Sequence, residues 1–347
     1  MSMTRRTFGQ GVGATMLLNG GLARAFATAP ERLTAEQVVR RILNKVASEG
    51  SGFKFPGLDT DTFKYGDPAT PVTGIVFTFQ ATFEVLKKAV QAKKNFVISH
   101  ERMFWEQLDD LRTLKHDTPF EPAGSLETEG VFLAKRRYCE ENGLVVWRFH
   151  NHQHMLRPDP IMTRLIAKLG WQDYAVPVQG QMVGAAYMIP EAPLKDVARH
   201  VARSIDSRNV RVIGDPNLLV KRVGLGAHKL IEILKPLQSC DVVLMSEPQD
   251  CDAFPYLRDG IGLGLPHPKG LIAITHERFE EWGEESAPAW LKPLVPEVPI
   301  EFISASDPYW VLPSKATWGL LTLPGMAATG ADFPQVTERG AIRSRPT

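Results

Sequence analysis

The 347-residue chain carries 40 basic and 39 acidic side chains, a formal net charge of +1, and 44% of its residues are apolar. This composition supports a large buried core and provides no broad basic surface, so no nucleic-acid partner is expected. The three cysteines lack a Cys-x-x-Cys motif, which argues against a zinc ribbon and against a disulfide framework.

The N-terminal segment has the features of an export signal. Its Thr4-Arg5-Arg6-Thr7-Phe8 motif resembles a twin-arginine core and is followed by a weakly apolar stretch and small residues. We therefore predict a twin-arginine signal peptide at residues 1–27 and a periplasmic or otherwise exported protein, with a flexible basic tail as the alternative. No later segment approaches about 18 uninterrupted apolar residues, so no membrane span is expected in the mature chain.

Hydrophobic spacing predicts alternating helices and strands in the remainder of the chain. An amphipathic helix at 35–47, with Thr34 as its cap, precedes a loop at 54–71. Residues 104–142 are predicted to be helical with a break at 119–124. The other predicted helices are 81–93, 160–169, 194–204, 230–237, 254–260 and 277–285. The predicted strands are 72–79, 95–99, 143–149, 210–213, 218–225, 241–246, 270–275 and 298–304, with a β-rich stretch at 174–189.

A five-residue motif occurs twice in matched contexts. Ile98-Ser-His-Glu-Arg102 and Ile274-Thr-His-Glu-Arg278 each follow an apolar strand and precede a predicted helix. Together with the βαβ order, this repetition predicts an α/β fold of two related lobes, roughly 28–155 and 156–312, with a Pro/Gly-rich tail at 313–347. Each lobe is expected to be a mixed sheet flanked by helices, with a metal site in the cleft between them.

Histidines cluster at the predicted strand ends. His100, His150, His154 and His276 each follow a strand, and open α/β sheets place their ligands at these ends. The alternating His150-Asn-His-Gln-His154 run either continues its strand, with the imidazoles on one face, or presents them from a loop. His276 and Glu280 are four residues apart on a helix, a spacing that also occurs in ordinary surface pairs. Taken together, the imidazoles and carboxylates favour a divalent-metal site.

At this point the sequence resembles the Nif-three-like family of dinuclear-metal-centre hexamers, often labelled homologues of GTP cyclohydrolase I type 2. The family's motifs appear in order as Gly66-Asp67-Pro68, Thr82-Phe-Glu-Val-Leu86, Ile98-Ser-His-Glu101, Phe149-His-Asn-His-Gln-His154, Thr275-His-Glu-Arg-Phe-Glu280 and Val298-Pro-Ile-Glu-Phe302. The similarity extends over roughly residues 35–312 and rests on motif order more than on identity.

The resemblance implies two divalent ions of zinc, manganese, iron or nickel and a homo-oligomer, in the family a hexamer. The implied ligands are His100, Glu101, His154, His276 and Glu280, with His150 in support. Glu101 replaces the second histidine of the family's His-His pair, and His154 replaces its aspartate, so the ligand charge is preserved. Gln80 stands where the family has an aspartate in the first strand region.

Two functional hypotheses follow. In the first, the protein is a metal-dependent hydrolase that acts on a small polar substrate through a metal-bridging water. In the second, it is a non-catalytic metal-binding or ring-scaffold protein of the cell envelope, with ions that serve stability or storage. Open coordination positions favour the hydrolase, whereas full ligation by protein groups favours the scaffold.

Overall fold

The structure is a computed structural model that describes residues 32–50, 60–105, 126–176, 186–247 and 250–311. The predicted signal at 1–27 and the tail at 313–347 lie outside these ranges. The helices within them are α1 (Ala35–Glu49), α2 (Phe83–Gln91), α3 (Gly130–Glu141), α4 (Asn151–His154), α5 (Pro160–Leu169), α6 (Leu194–Ser204), α7 (Leu230–Ser239), α8 (Ala253–Gly262) and α9 (His276–Leu291). The strands are β1 (Phe63–Tyr65), β2 (Ile75–Thr78), β3 (Phe96–Ser99), β4 (Val145–Arg148), β5 (Ala175–Val176), β6 (Ala186–Pro193), β7 (Arg211–Gly214), β8 (Leu219–Gly226), β9 (Val242–Ser246), β10 (Gly270–Ile274) and β11 (Ile300–Phe302).

The first sheet has the strand order β1-β4-β3-β2-β11, and all of its pairings are parallel except β1 with β4. Its central strands are buried on both faces because helices cover both. One face packs against α1 and the second half of α9, and the other against α2 and α3. Apolar residues therefore run continuously along β2, β3 and β4, as expected of enclosed parallel strands.

The second sheet has the order β5-β6-β8-β9-β10-β7, in which β8, β9 and β10 are parallel and the outer pairings are antiparallel. Helices α5 and α6 cover one face, and α7 and α8 cover the other. Two mixed sheets flanked by helices confirm the predicted fold class.

Helix α9 joins the two cores. Phe279 and Trp282 pack against the second sheet, whereas Ala287 and Leu291, two and three turns further along, pack beneath the first. Gly283 lies between these two sets, where an added Cβ would come within 2.3 Å of Ile161 Cδ1 and 3.1 Å of Ile161 Cα on α5, so the two helices approach closely at this point. The helix extends beyond its predicted end at residue 285, and this C-terminal part covers the first sheet.

The last described strand, β11, returns to the first sheet and pairs in parallel with β2, with Ile300 opposite Ile75. The first sheet thus contains strands from both sides of the predicted lobe boundary near residue 155. The position of that boundary stays a prediction.

Between 101 and 105 the chain is not helical, although a helix was expected from 104 onward, and α3 begins at Gly130. None of the helices in the described ranges combines the length and the apolar character that a membrane crossing requires.

Candidate metal centre

Two histidines at the ends of strands from different sheets face each other across one carboxylate. His100 directly follows β3 in the first sheet, and His276 begins α9 after β10 in the second. Glu280, one turn further along α9, places Oε2 3.1 Å from His100 Nε2 and 2.9 Å from His276 Nε2. The carboxyl ends of parallel strands in the two sheets therefore meet at this point, as the repeated motif suggested.

Glu101 brings a second carboxylate to the same place. Its Oε2 accepts hydrogen bonds from Arg148 Nη2 at 3.1 Å and from the backbone N–H of Arg102 at 3.2 Å. Its Oε1 lies 3.5 Å from His150 Nε2 and 3.9 Å from His276 Nε2. Arg148 is itself 1% exposed and also donates to the carbonyl of His100. One carboxylate oxygen is therefore held by cationic and amide donors, which leaves the other facing the imidazoles.

The histidine run forms the short helix α4 and neither continues β4 nor enters a loop. His150 and His154 lie one turn apart with ring centroids 5.0 Å apart, and both rings lie next to that of His100, at 4.5 and 5.1 Å. His152 is on the other side of this turn, where its Nδ1 is 2.7 Å from Asp61 Oδ2. The helical turn thus directs two of the three imidazoles into the site.

The imidazoles of the site are anchored through Nδ1 by an oxygen outside it. Such contacts fix the ring orientation and the tautomer, and leave Nε2 available to a metal ion. The anchored pairs are His100 with Gln153 Oε1 at 2.9 Å, His150 with Asn151 Oδ1 at 2.8 Å, His154 with Asp159 Oδ2 at 2.9 Å and His276 with Glu247 Oε1 at 3.1 Å.

Burial and mutual charge set the protonation of the site. Burial acts to lower the pKa of His100, but the contact and charge of Glu280, with further acidic neighbours, raise it to about 9. Burial acts to raise the pKa of Glu280, but His276 and His100 hold it well below its ordinary value. Burial and the charges of His100 and His154 lower the pKa of His150 to about 3. In the absence of ions, protons on the imidazoles therefore balance an ionised carboxylate.

The described residues contain three groups in which one ligand atom of each member lies within 4.8 Å of the others. They are His100, His150 and His154; His100, Glu101 and Glu280; and His228, His276 and Glu280. All six residues implied by the resemblance lie in these overlapping groups, and His228 is an addition. Imidazole nitrogen and carboxylate oxygen together suit zinc, manganese, iron and nickel.

One nitrogen of the site lacks a hydrogen bond. His100 Nε2 is completely enclosed and lies 3.1 Å from Glu280 Oε2, yet without the alignment of a hydrogen bond. A divalent ion between this nitrogen and the carboxylate would give both a partner. The donor set of this site therefore fits a metal.

Sequence reasoning missed four polar residues around the cluster. His228 lies two residues after β8 and Glu247 directly follows β9, so the strand-end rule that selected His100 also applies to them. Gln153 bridges His100 and Glu284, donating to Glu284 Oε1 at 2.6 Å. No comparable sequence signal indicated Gln153 or Glu284. Gln80, noted as a replacement, donates to the carbonyl of Arg102 at 3.2 Å and so holds the backbone beside Glu101.

A cavity of about 290 Å³ borders the site on its His276 side. His276 and Glu247 form part of its wall, and the remaining wall residues are Asn209, Arg211, Ile274, Thr275, Glu277 and Tyr309. Its polar and charged lining suits a small polar molecule more than an apolar one.

Several solved structures share this fold. Protein SA1388 of Staphylococcus aureus superposes with a TM-score of 0.58 at 16% identity, over 81% of this chain and 100% of its own. A NIF3-related protein of Bacillus cereus gives 0.59 at 13% identity, with the same coverage. HcgD of Methanocaldococcus jannaschii gives 0.51 at 14% identity, over 79% and 98%. No curated protein sequence matches the chain. At these identities the likeness establishes the fold alone.

Membership of a family is shown by the sequence itself. The sequence profile of the family described as Duf34/NIF3 (NGG1p interacting factor 3) matches residues 53–308, which is more than half of the chain. The matched range contains both copies of the repeated motif and the α4 histidines. The chain therefore belongs to the Duf34/NIF3 family, as the order of its motifs indicated.

Proposed function

We propose that this protein binds a pair of divalent metal ions between its two sheets and uses them to hydrolyse a small polar substrate. The observation that carries the proposal is the Nδ1 anchoring of four imidazoles around two carboxylates. Anchored imidazoles of this kind are typical of metal ligands, because the outer contact fixes the tautomer that the ion requires.

The residues divide between a side next to the first sheet and a side next to the second. His100, His150 and His154 form the side next to the first sheet, with Glu101 close to them. His276 forms the side next to the second sheet, and Glu280 contacts both sides through a single oxygen. A pair of divalent ions, when bound, would supply an activated water and polarise a carbonyl or phosphoryl oxygen.

The chain's own groups orient this centre and limit its access to water. Arg148 holds Glu101 in place, and Glu247 holds His276. Phe79 is buried against the site, with its ring centroid 5.2 Å from that of His276 and 6.2 Å from that of His100. Phe79 therefore excludes water on its side of the centre.

The cavity favours catalysis over storage. It lies against His276 and Glu247, so a small polar molecule in it would be next to the His276 side of the centre. The burial of His100, which is 0% exposed, supports the second hypothesis, a non-catalytic metal-binding protein. A measurement of substrate turnover distinguishes the catalytic function from the non-catalytic one.

The metal proposal is tested on the full chain by metal analysis of His100→Ala and His276→Ala. Both variants are expected to hold fewer ions than the parent protein. His200→Ala is the matched control, since His200 lies away from the site, where it contacts the carbonyl of Leu169 at 2.7 Å and stacks on the ring of Trp171. Unchanged metal content in both site variants would eliminate the shared centre.

The catalytic proposal is tested with phosphoester, amide and cyclic-nucleotide substrates in the presence and absence of a chelator. We expect turnover of at least one class that the chelator abolishes and added metal restores. Metal content without chelator-sensitive turnover would favour the non-catalytic function instead.

A further inference from the structure

His228 lies beside the metal centre although no sequence motif pointed to it. It follows β8 by two residues, and its ring centroid is 4.4 Å from that of His276. Its Nδ1 is 3.2 Å from Ser246 Oγ and 3.7 Å from Glu247 Oε1. Both of these oxygens belong to the end of β9, so three parallel strands of the second sheet contribute to this corner of the site.

The position of His228 repeats the arrangement of the other imidazoles. Its Nδ1 is occupied by outer oxygens, which leaves Nε2 available, as for His100 and His276. One ligand atom of His228 lies within 4.8 Å of ligand atoms of both His276 and Glu280. Two imidazoles and a carboxylate at this spacing provide three of the four ligands of a typical zinc site.

We propose that His228, with His276 and Glu280, is a ligand of the ion on the side of the cavity, and that Glu247 positions both imidazoles. Glu247 Oε1 is 3.1 Å from His276 Nδ1 and 3.7 Å from His228 Nδ1. This inference rests on the proposed metal-binding function and adds a residue that the family motifs do not include.

The ion position held by His228, His276 and Glu280 borders the cavity. His276 and Glu247 both form part of the cavity wall, and the side chain of His228 beside them is 33% exposed. The ion at this position is therefore the one that a substrate in the cavity meets first.

The test is a calorimetric titration of the chelator-treated full chain with Zn²⁺ alone, for the parent protein, His228→Ala and His228→Gln. The parent protein should show two binding events of different affinity. Both variants should retain one event and show the other at least roughly tenfold weaker, or lose it. The Gln variant retains a side chain that can contact Ser246, so a loss common to both variants reports the missing ligand.

His200→Ala serves as the control and should bind both ions as the parent does. If both His228 variants bind two ions with unchanged affinities while His276→Ala loses one, the inference is wrong and the proposed metal centre stands. If His276→Ala also binds both ions unchanged, the metal centre itself is wrong.

Discussion

The carboxylate of Asp61 holds the helical turn that carries His150 and His154. It accepts the backbone N–H groups of His150 at 2.9 Å, Asn151 at 3.1 Å and His152 at 2.8 Å, and it also contacts His152 Nδ1. The first N–H groups of a helix have no partner within the helix, so a side chain or water must accept them. Asp61, 89 residues before His150, acts as that cap, and its side chain is 0% exposed.

We expect Asp61→Asn to lower the free energy of unfolding by about 2 to 3 kcal/mol. Burial acts to raise the pKa of Asp61, but the hydrogen bonds from His152 and His150 lower it from 3.8 to about 2. A shift of about two pKa units corresponds to about 2.5 kcal/mol in favour of the charged form. Because the folded pKa is the lower one, this stabilisation is present above about pH 4 and is lost as the pH falls towards 2.

The measurement is urea denaturation at pH 7 of chelator-treated protein, so that bound metal does not contribute. Asp67→Asn is the matched control, because Asp67 is exposed and accepts one hydrogen bond, from the backbone of Ala69 at 2.9 Å. The control should change the free energy of unfolding by less than about 0.5 kcal/mol. A similarly small change for Asp61→Asn would refute the capping role.

Three further predictions follow from packing and charge. Gly283→Ala should destabilise the protein by about 1 to 3 kcal/mol in urea, since its Cβ would collide with Ile161, whereas Gly262→Ala, with nothing within 4 Å, should not destabilise it. Arg148→Met should cost about 3 to 5 kcal/mol, because the buried Glu101 loses its closest cationic partner; a cost below about 1 kcal/mol would contradict that role. Zn²⁺ at a hundredfold excess over its Kd should stabilise the parent protein by about 2.7 kcal/mol, seen as a higher Tm that a chelator reverses.

Much of the fold follows from local sequence. The helix cap predicted at Thr34 is present, and the structure extends it to a capping box, in which the Thr34 side chain accepts from Gln37 N and Gln37 Oε1 accepts from the Thr34 backbone N–H. The apolar runs predicted as strands form β3 and β10, and their residues are buried on both faces of the sheets. Since parallel strands end at one edge of a sheet, the same runs placed His100 and His276 at the site.

The histidine run shows where local sequence is insufficient. The spacing of His150 and His154 suits either a strand face or a helical turn, and sequence reasoning left a strand and a loop open. Asp61 decides in favour of the helix, because its carboxylate accepts the N–H groups that begin that turn. A contact across 89 residues leaves no periodicity in the chain that reasoning from the sequence can detect.

The sequence by itself determined the alternation of elements, the family and most of the polar residues that meet between the sheets. Only the tertiary structure decided that β11 joins the first sheet, that α9 covers both cores and that His228 comes next to His276. The physical reason is that hydrophobic period and capping act within a few residues, whereas strand order and the meeting of two sheet edges depend on packing between segments far apart in the chain.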